Sequence, residues 1–271
     1  AKNVTFDNCS NSGDIIVPSS VVCGNTTTSK TGYIRVGGIV GNQSSGTITV
    51  KNTIKNSGTI NVAGECKHDQ NLSIGGVFAY TSTAFTADSE AVLINEGEVI
   101  CGAKAKKGLR VGGVIGAANV THPAAVSYIN PGNVSCTGTF ASDGAYIGGV
   151  FGNTAASQAN AQSFCNIKAI GYTGVGMITG SLYDAGKIEI SNSAIGGTVC
   201  RETREETDAA EEIITVEVVE TIDASNLHKC IYGAEVDASI ATANNVTVLT
   251  SAPSTELPAP APEEPEATPE A

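Results

Sequence analysis

The sequence predicts an all-β fold: a right-handed parallel β-helix, or β-solenoid, of about five repeats of about 36 residues. Two recurring phrases, a glycine pair inside a short apolar strand and a strand–Asn-x-Gly–strand unit, indicate the repeat. The composition agrees, because glycine is abundant at 31 residues, tryptophan is absent and only 15% of residues are charged. A β-sandwich of hairpins is the alternative, but two-residue hairpin turns such as Asn-Gly are scarce.

The glycine pair recurs at a nearly constant interval. The copies begin at positions 37, 75, 112 and 148, so successive copies lie 38, 37 and 36 residues apart. A weaker fifth copy, "GVGMITG" (174–180), has Met177 in place of the second glycine. Glycine within an apolar strand marks a bend or a close approach of another backbone. The predicted turn glycines are Gly37, Gly38, Gly75, Gly76, Gly112, Gly113, Gly148 and Gly149.

The second phrase supplies the other strands of each repeat. A strand of four to six residues is too short to bury a face alone, so the next copy is expected to stack on it at about 4.8 Å. Asn and Gly at the corners tolerate the left-handed backbone of a sharp bend. The four clear copies are "CSNSGDIIV" (9–17), "IKNSGTINV" (54–62), "LINEGEVIC" (93–101) and "YINPGNVSC" (128–136).

Charge divides the chain into a neutral body and an acidic C-terminal part. Residues 1–200 hold 11 acids and 12 bases, whereas residues 201–271 hold 16 acids and 3 bases. A neutral body predicts no nucleic-acid partner. We expect β-solenoid repeats over 1–197, an acidic insertion and capping segment over 198–250, and a disordered Pro/Glu/Ala-rich tail over 251–271.

The capping segment has two predicted parts. Residues 198–222 form a projecting hairpin or a helix-and-strand insertion, or they cover the open end of the solenoid. After them, Asp223 or Ser225 caps a short helical turn, and residues 245–250 form a final strand.

Eight cysteines raise the question of disulfides or metal binding. Cys66, Cys101 and Cys136 lie 35 residues apart, which favours stacked, buried free thiols. The alternative is one or two bridges, with Cys9–Cys23 and Cys101–Cys136 as candidates. No C-x-x-C occurs, and "CKHDQ" (66–70) is interpreted as a polar loop, so we expect no metal and no cofactor.

The phrases together resemble a known family. "VGGIVGNQSSGTITVKNTIKNSGTINV" (36–62), with "NEGEV", "NPGNV" and the closing "NLHKCIYG" and "NNVTVLTSAP", resembles the GLUG-type glycine-rich repeats of secreted proteins. It is similar to β-helical surface lipoproteins of gut Bacteroidales over residues 3–250. The resemblance implies an exported, extracellular protein at the bacterial outer-membrane surface. No apolar stretch reaches the roughly 18 residues of a transmembrane segment, and the start at Ala1 without Met suggests a trimmed chain.

The candidate binding residues lie on or near the loops that differ between repeats, because repeat proteins often carry their binding face on such insertions. The aromatic candidates for a glycan platform are Tyr33, Tyr80, Phe85 and Tyr146. The basic cluster "KAKKGLR" supplies Lys104, Lys106, Lys107 and Arg110, which contact an acidic glycan or lipopolysaccharide or form a solvated loop. The alternative is that these loops only connect the strands of a purely structural rod.

The predicted function is adhesion or ligand capture, with a glycan or host surface molecule as partner and no enzymatic activity. The acids of the body are spread singly, whereas β-helical glycosidases and lyases cluster acids on one wall. The alternatives are a structural or accessory subunit of an outer-membrane protein complex and a polysaccharide-active β-helix enzyme.

Overall fold

The structure is a computed structural model. It describes residues 3–24, 33–83, 85–87, 91–120, 122–123, 125–155, 158–172, 174–182, 188–209, 211–227, 231–232 and 241–255. In these parts of the chain there is no helix long and apolar enough to cross a membrane.

The described residues form a succession of mostly short β-strands, as the frequent turns and β-branched residues predict. The first fourteen are β1 (Val4–Asn11), β2 (Ile15–Val17), β3 (Val22–Cys23), β4 (Arg35–Gly37), β5 (Ile48–Asn56), β6 (Ile60–Val62), β7 (Glu65–Cys66), β8 (Leu72–Gly75), β9 (Phe78–Thr81), β10 (Phe85–Ala87), β11 (Val92–Asn95), β12 (Val99–Cys101), β13 (Lys104–Ala105) and β14 (Leu109–Gly112). The others are β15 (Ile115–Ala118), β16 (Ser127–Asn130), β17 (Val134–Cys136), β18 (Thr139–Phe140), β19 (Ala145–Gly148), β20 (Phe151–Thr154), β21 (Gln158–Ala159), β22 (Ala161–Lys168), β23 (Gly174–Gly176), β24 (Thr179–Leu182), β25 (Ile188–Thr207), β26 (Ile213–Thr221) and β27 (Ala241–Val248).

The strands form four sheets, in which most strands pair with the corresponding strand of the next repeat. Sheet 1 has fourteen strands and includes the order β1-β5-β11-β16-β22. Sheet 2 is β18-β13-β7-β3, sheet 3 is β23-β19-β14-β8-β4 and sheet 4 is β24-β20-β15-β9. Among the described strands, every pairing is parallel except that of β25 with β26. The all-β, parallel class is therefore confirmed, and the hairpin sandwich is wrong.

The interval between the glycine pairs sets the strand register in sheet 3. Gly37 pairs with Gly75, Gly75 with Gly112, and Gly112 with Gly148. The weak fifth copy continues the column, because Gly148 pairs with Gly176. Met177, the residue after Gly176, therefore occupies the position of the second glycine of the other copies.

A ladder of asparagine side chains runs through the turns of the Asn-x-Gly phrase. Asn11, Asn56, Asn95 and Asn130 are stacked, and each side-chain Nδ2 of the first three donates to the Oδ1 of the next, at 2.8, 2.8 and 2.9 Å. Each Nδ2 also donates to the carbonyl of the glycine two residues later, at 2.8–2.9 Å. Asn56, Asn95 and Asn130 are fully buried. In β22 the residue paired with Asn130 is Ser163, so the column of asparagines ends at Asn130.

The glycine pairs are needed for close approach, not for a left-handed backbone. A Cβ on Gly113 would lie 2.0 Å from the Gly149 carbonyl oxygen and 2.2 Å from Asn130 Nδ2. The glycine pairs do not have positive φ, and neither do the asparagines and glycines of the four clear Asn-x-Gly copies, which corrects the left-handed corner role expected for the latter. Among the described residues, the non-glycine positions with a left-handed backbone are instead Asn8, Asn52, Asn160, Asn192, Glu211 and Asn245.

The seven described cysteines are free thiols, and neither candidate disulfide is present. Cys101 pairs with Cys136 in sheet 1, as the stacking of thiols predicts. Cys66 departs from that column, because it lies in sheet 2 between Cys23 and Ala105. The spacing of 35 residues placed it wrongly, because the residue that pairs with Cys101 in the preceding repeat is Val62, 39 residues earlier. Cys230 lies outside the described residues.

The acidic segment forms a long antiparallel hairpin. β25 and β26 pair from Thr198 with Thr221 to Thr207 with Ile213, and Lys168 Nζ contacts Glu217 Oε1 at 2.5 Å. This confirms the hairpin over the helix-and-strand insertion. The cap is Asp223, whose Oδ1 accepts the Ser225 N–H at 2.7 Å. The predicted last strand belongs to β27, and the tail from 256 onward lies outside the described residues.

We expect Asn95→Ala to lower the free energy of unfolding by about 3 kcal/mol, because it removes three buried hydrogen bonds and leaves their partners unsatisfied. The matched control is Asn11→Ala at the half-exposed end of the same ladder, where the loss should be about 1 kcal/mol. Urea unfolding followed by circular dichroism measures both. Equal losses at the two sites would contradict a structural role for the buried ladder.

Candidate functional site

Side chains from two positions of the strand–Gly-Gly–strand unit lie at one cleft between sheets 3 and 4. The positions are two residues before and five residues after the first glycine of the pair. In sheet 3 the first position forms the column Arg35, Ser73, Arg110 and Tyr146. In sheet 4 the second forms the column Tyr80, Ala117 and Asn153. Six of these residues line a cleft of about 150 Å³.

We call this site the arginine cleft. Ser73 and Ala117 are the small side chains of the two columns, and each stands between larger ones, which leaves the space open. The described residues that line it are Arg35, Gln70, Asn71, Ser73, Tyr80, Lys107, Arg110, Ala117, Asn119 and Asn153.

Arg35 is held over two tyrosine rings. Its guanidinium carbon lies 3.6 Å from the centroid of Tyr80 and 4.4 Å from that of Tyr33. Its Nη1 donates to Asn42 Oδ1, whereas the buried Nε has no hydrogen-bond partner. Burial lowers the pKa of Arg35, and the nearby tyrosines partly oppose this shift. The residue is a half-buried cation with one donor unused.

Arg110 is more deeply buried, with only 2% of the residue exposed. Its Nη1 donates to the carbonyls of Leu109 at 2.9 Å and Gly144 at 3.3 Å. The guanidinium carbon lies 4.2 Å from the ring centroid of Tyr146. These contacts fix the side chain, because a planar guanidinium that stacks and donates has little rotational freedom.

Two amide oxygens of the cleft lack a hydrogen-bond donor. Asn153 is 3% exposed, and its Oδ1 is buried without a partner; the Oδ1 of Asn71 is in the same state. Asn119 Nδ2 donates to Tyr80 Oη at 3.1 Å. Buried polar atoms are normally satisfied, so these two acceptors are candidates for hydrogen bonds to a ligand or to water.

The structure brings five of the predicted binding residues together at this cleft. Tyr80, Lys107 and Arg110 line it. Tyr33 and Tyr146 are not lining residues, but their rings stack against Arg35 and Arg110, respectively. The tyrosine rings are occupied by guanidinium groups. They therefore act as supports for the cations, and not as the open sugar platform that the sequence suggested.

The other predicted binding residues lie elsewhere. Phe85 is 6% exposed and stacks on His122 at 4.5 Å between ring centroids, so its ring belongs to the core. Lys104 and Lys106 lie at sheet 2 around a separate depression. There Lys106 Nζ contacts Asp69 Oδ1 at 2.8 Å, which lowers the pKa of that carboxyl group. The basic cluster is split, because β13 ends at Ala105 and the chain bends at residues 106–107 before β14 begins at Leu109 in sheet 3.

Sequence reasoning missed Arg35, Asn71, Asn119 and Asn153. A signal for two of them was present, since Arg35 precedes its glycine pair by two residues as Arg110 does, and Asn153 follows its pair by five as Tyr80 does. Asn71 and Asn119 stand just outside the repeated phrase, where no column of aligned positions identifies them.

The segment 66–70 shows no metal-binding arrangement. His68 is 7% exposed and packs edge-on against Tyr33 at 5.4 Å between centroids. Across the described part of the chain, no three His, Cys, Asp or Glu side chains lie together as a metal site would require.

The chain matches no family profile, no curated protein and no solved structure. The resemblance to glycine-rich surface repeats therefore stays a prediction, and the case for function depends on the geometry of the cleft.

His122 generates a prediction about pH. It is buried beneath Phe85 and Tyr128, and burial lowers its pKa to about 3. The unfolded chain binds a proton near pH 6.5, whereas the folded chain does not until about pH 3. Stability should therefore fall as pH drops through this window, by up to about 1.4 kcal/mol per pH unit. Thermal unfolding of the protein and of His122→Phe between pH 7 and 5 measures this. An equally steep fall in the variant would contradict the assignment.

Proposed function

We propose that the chain winds as a right-handed parallel β-helix of about five turns, each of about 36 residues. The support is the pairing of like strands from successive repeats in four separate sheets, with glycine on glycine and asparagine on asparagine. Such a rod carries corresponding side chains in columns, and the two columns of the arginine cleft are one result.

On this rod the arginine cleft captures a ligand, with carbohydrate as the leading class, and the protein performs no chemistry on it. The observation that carries this function is the set of buried, unsatisfied polar atoms at the cleft: Arg35 Nε, Asn71 Oδ1 and Asn153 Oδ1. A buried polar group without a partner costs about 1–3 kcal/mol. A bound molecule with both donors and acceptors would satisfy these groups.

Carbohydrate fits these requirements because each hydroxyl both donates and accepts. The cleft is small beside the roughly 300–1,000 Å³ of sites for drug-sized ligands, so it suits the end of a sugar chain. Display at the outer surface of a bacterium follows from the resemblance to surface lipoproteins, and it would place the cleft where glycans are encountered.

The test is a screen of the full chain against bacterial, plant and host glycans. We expect a specific ligand whose affinity falls at least about tenfold in Tyr80→Ala and in Asn153→Ala, because each loses contacts made in a desolvated site. Lys104→Ala on sheet 2 is the matched control and should bind normally. A ligand that all three variants bind equally, or no ligand at all, would refute capture at this cleft.

A second function, docking as an accessory subunit of an outer-membrane complex, is favoured by the hairpin. Ile213 and Val219 are 73% and 54% exposed, and they lie on one face of β26 because they are an even number of residues apart. Among the described strands, β26 pairs only with β25. A long edge strand with apolar residues is a site for pairing with another chain.

If this docking occurs, crosslinking in cell envelopes should join the protein to one outer-membrane partner. The double substitution of Ile213→Lys and Val219→Lys should abolish the product, because charge on an apolar contact must be desolvated. Thr215→Lys, on the same face of the same strand, should have a smaller effect. A product that survives the double substitution would rule out docking through β26.

A further inference from the structure

The arginine cleft is cationic and has no acid of its own. Arg35, Lys107 and Arg110 line it, and none of the other described lining residues is Asp or Glu. Lys107 Nζ contacts Asp143 Oδ2 at 3.2 Å, but that carboxylate is not among the lining residues. Over residues 1–200 acids and bases are nearly equal, so this local excess of positive charge is a property of the cleft.

The burial of Arg110 and the partial burial of Arg35 give this charge its significance. Removing a cation from water is costly unless an anion or several hydrogen bonds compensate. Arg35 is compensated by tyrosine faces and the neutral amide of Asn42, and its Nε is unused. A carboxylate placed beside a guanidinium in such a site makes charge-assisted hydrogen bonds, which are about twice as strong as neutral ones.

The unsatisfied acceptors narrow the class of anion. Asn71 Oδ1 and Asn153 Oδ1 can only accept, so a ligand that satisfies them carries hydrogen-bond donors as well as its negative group. A fully ionised oxyanion such as sulfate has no proton to donate. A sugar acid has a carboxylate for the guanidinium groups and hydroxyls for the amide oxygens.

The spacing of the arginines points to more than one sugar. Arg35 and Arg110 lie on either side of Ser73 in three adjacent strands of sheet 3. Their backbones are thus two strand spacings apart, about 9.5 Å. An oligosaccharide with successive acidic residues can present one carboxylate to each guanidinium, and Ser73 and Ala117 leave room between them.

We infer that the arginine cleft is selective for acidic oligosaccharides, with uronic acid residues bound through Arg35 and Arg110 and their hydroxyls donating to Asn71 and Asn153. This rests on the proposed carbohydrate capture and deepens it by naming the ligand class. It also assigns Arg35, which the sequence did not single out, to the binding residues.

The experiment compares trigalacturonate with its methyl ester by isothermal titration against the full chain. The ester keeps the hydroxyls and the shape but removes the charge. We expect the acid to bind at least about tenfold more tightly, with affinity falling as salt is raised. Equal binding of acid and ester would overturn the inference while leaving carbohydrate capture intact. Binding of neither probe, together with an empty glycan screen, would remove both.

Variants and a competitor locate the interaction. Arg35→Gln should reduce trigalacturonate binding at least about tenfold, whereas Lys104→Gln, with the same change in charge on sheet 2, should stay within about twofold. Arg110→Gln is included only if circular dichroism shows a folded protein, and Arg35→Gln decides the question otherwise. Equal losses in Arg35→Gln and Lys104→Gln would show general electrostatic attraction and overturn the inference. Inorganic sulfate that competes at the same concentration as trigalacturonate would likewise overturn it, because the site would then recognise any oxyanion.

Discussion

The buried asparagine ladder is the interaction on which the other features depend. An amide in the core is tolerated only when its donors and acceptors are satisfied, and here each is satisfied by the next asparagine and by a glycine carbonyl in its own turn. A shift of one residue in any repeat would break the ladder and turn the apolar side chains of that strand to the opposite face. The ladder therefore holds successive repeats in a single register, although the links between them differ in length.

Register in turn explains the glycine pairs and the cleft. The second glycine of a pair lies against the ladder, as shown by Gly76, whose added Cβ would meet Asn95 Cγ at 2.2 Å. A side chain there would push sheet 3 away from the asparagines. Because the pair permits this approach, the strands before and after it stay together, and residues on their outer sides form columns. Variation within the columns, such as Ser73 beside Arg110, then produces a cleft without altering the core.

The cleft and the core are stabilised in different ways. The core is filled by aliphatic side chains, thiols and a cluster that includes Phe85, His122 and Tyr128. Burial keeps the His122 imidazole and the Tyr128 hydroxyl neutral. The cleft instead holds charged and unsatisfied groups, some on strands and some in the loops beside them. Such an arrangement costs stability and persists because the surrounding ladder and apolar columns support it. On the proposed function, the placement of Arg35, Arg110 and Asn153 on strands would reduce the entropy lost when a ligand binds.

The amino-acid sequence by itself determined the parallel, repeating β architecture, because the glycine pairs and the Asn-x-Gly phrases are local patterns whose intervals equal the strand register. It also identified Tyr80, Lys107 and Arg110 as binding candidates. Only the tertiary structure decided which side chains meet. Phe85 and Tyr80 are both aromatic residues near one variable loop, yet Phe85 turns into the core and Tyr80 lies at the cleft. Cys66 follows the spacing of 35 residues but leaves the thiol column. In both cases the link lengths and the packing between sheets set the outcome, and these depend on contacts between residues far apart in the chain.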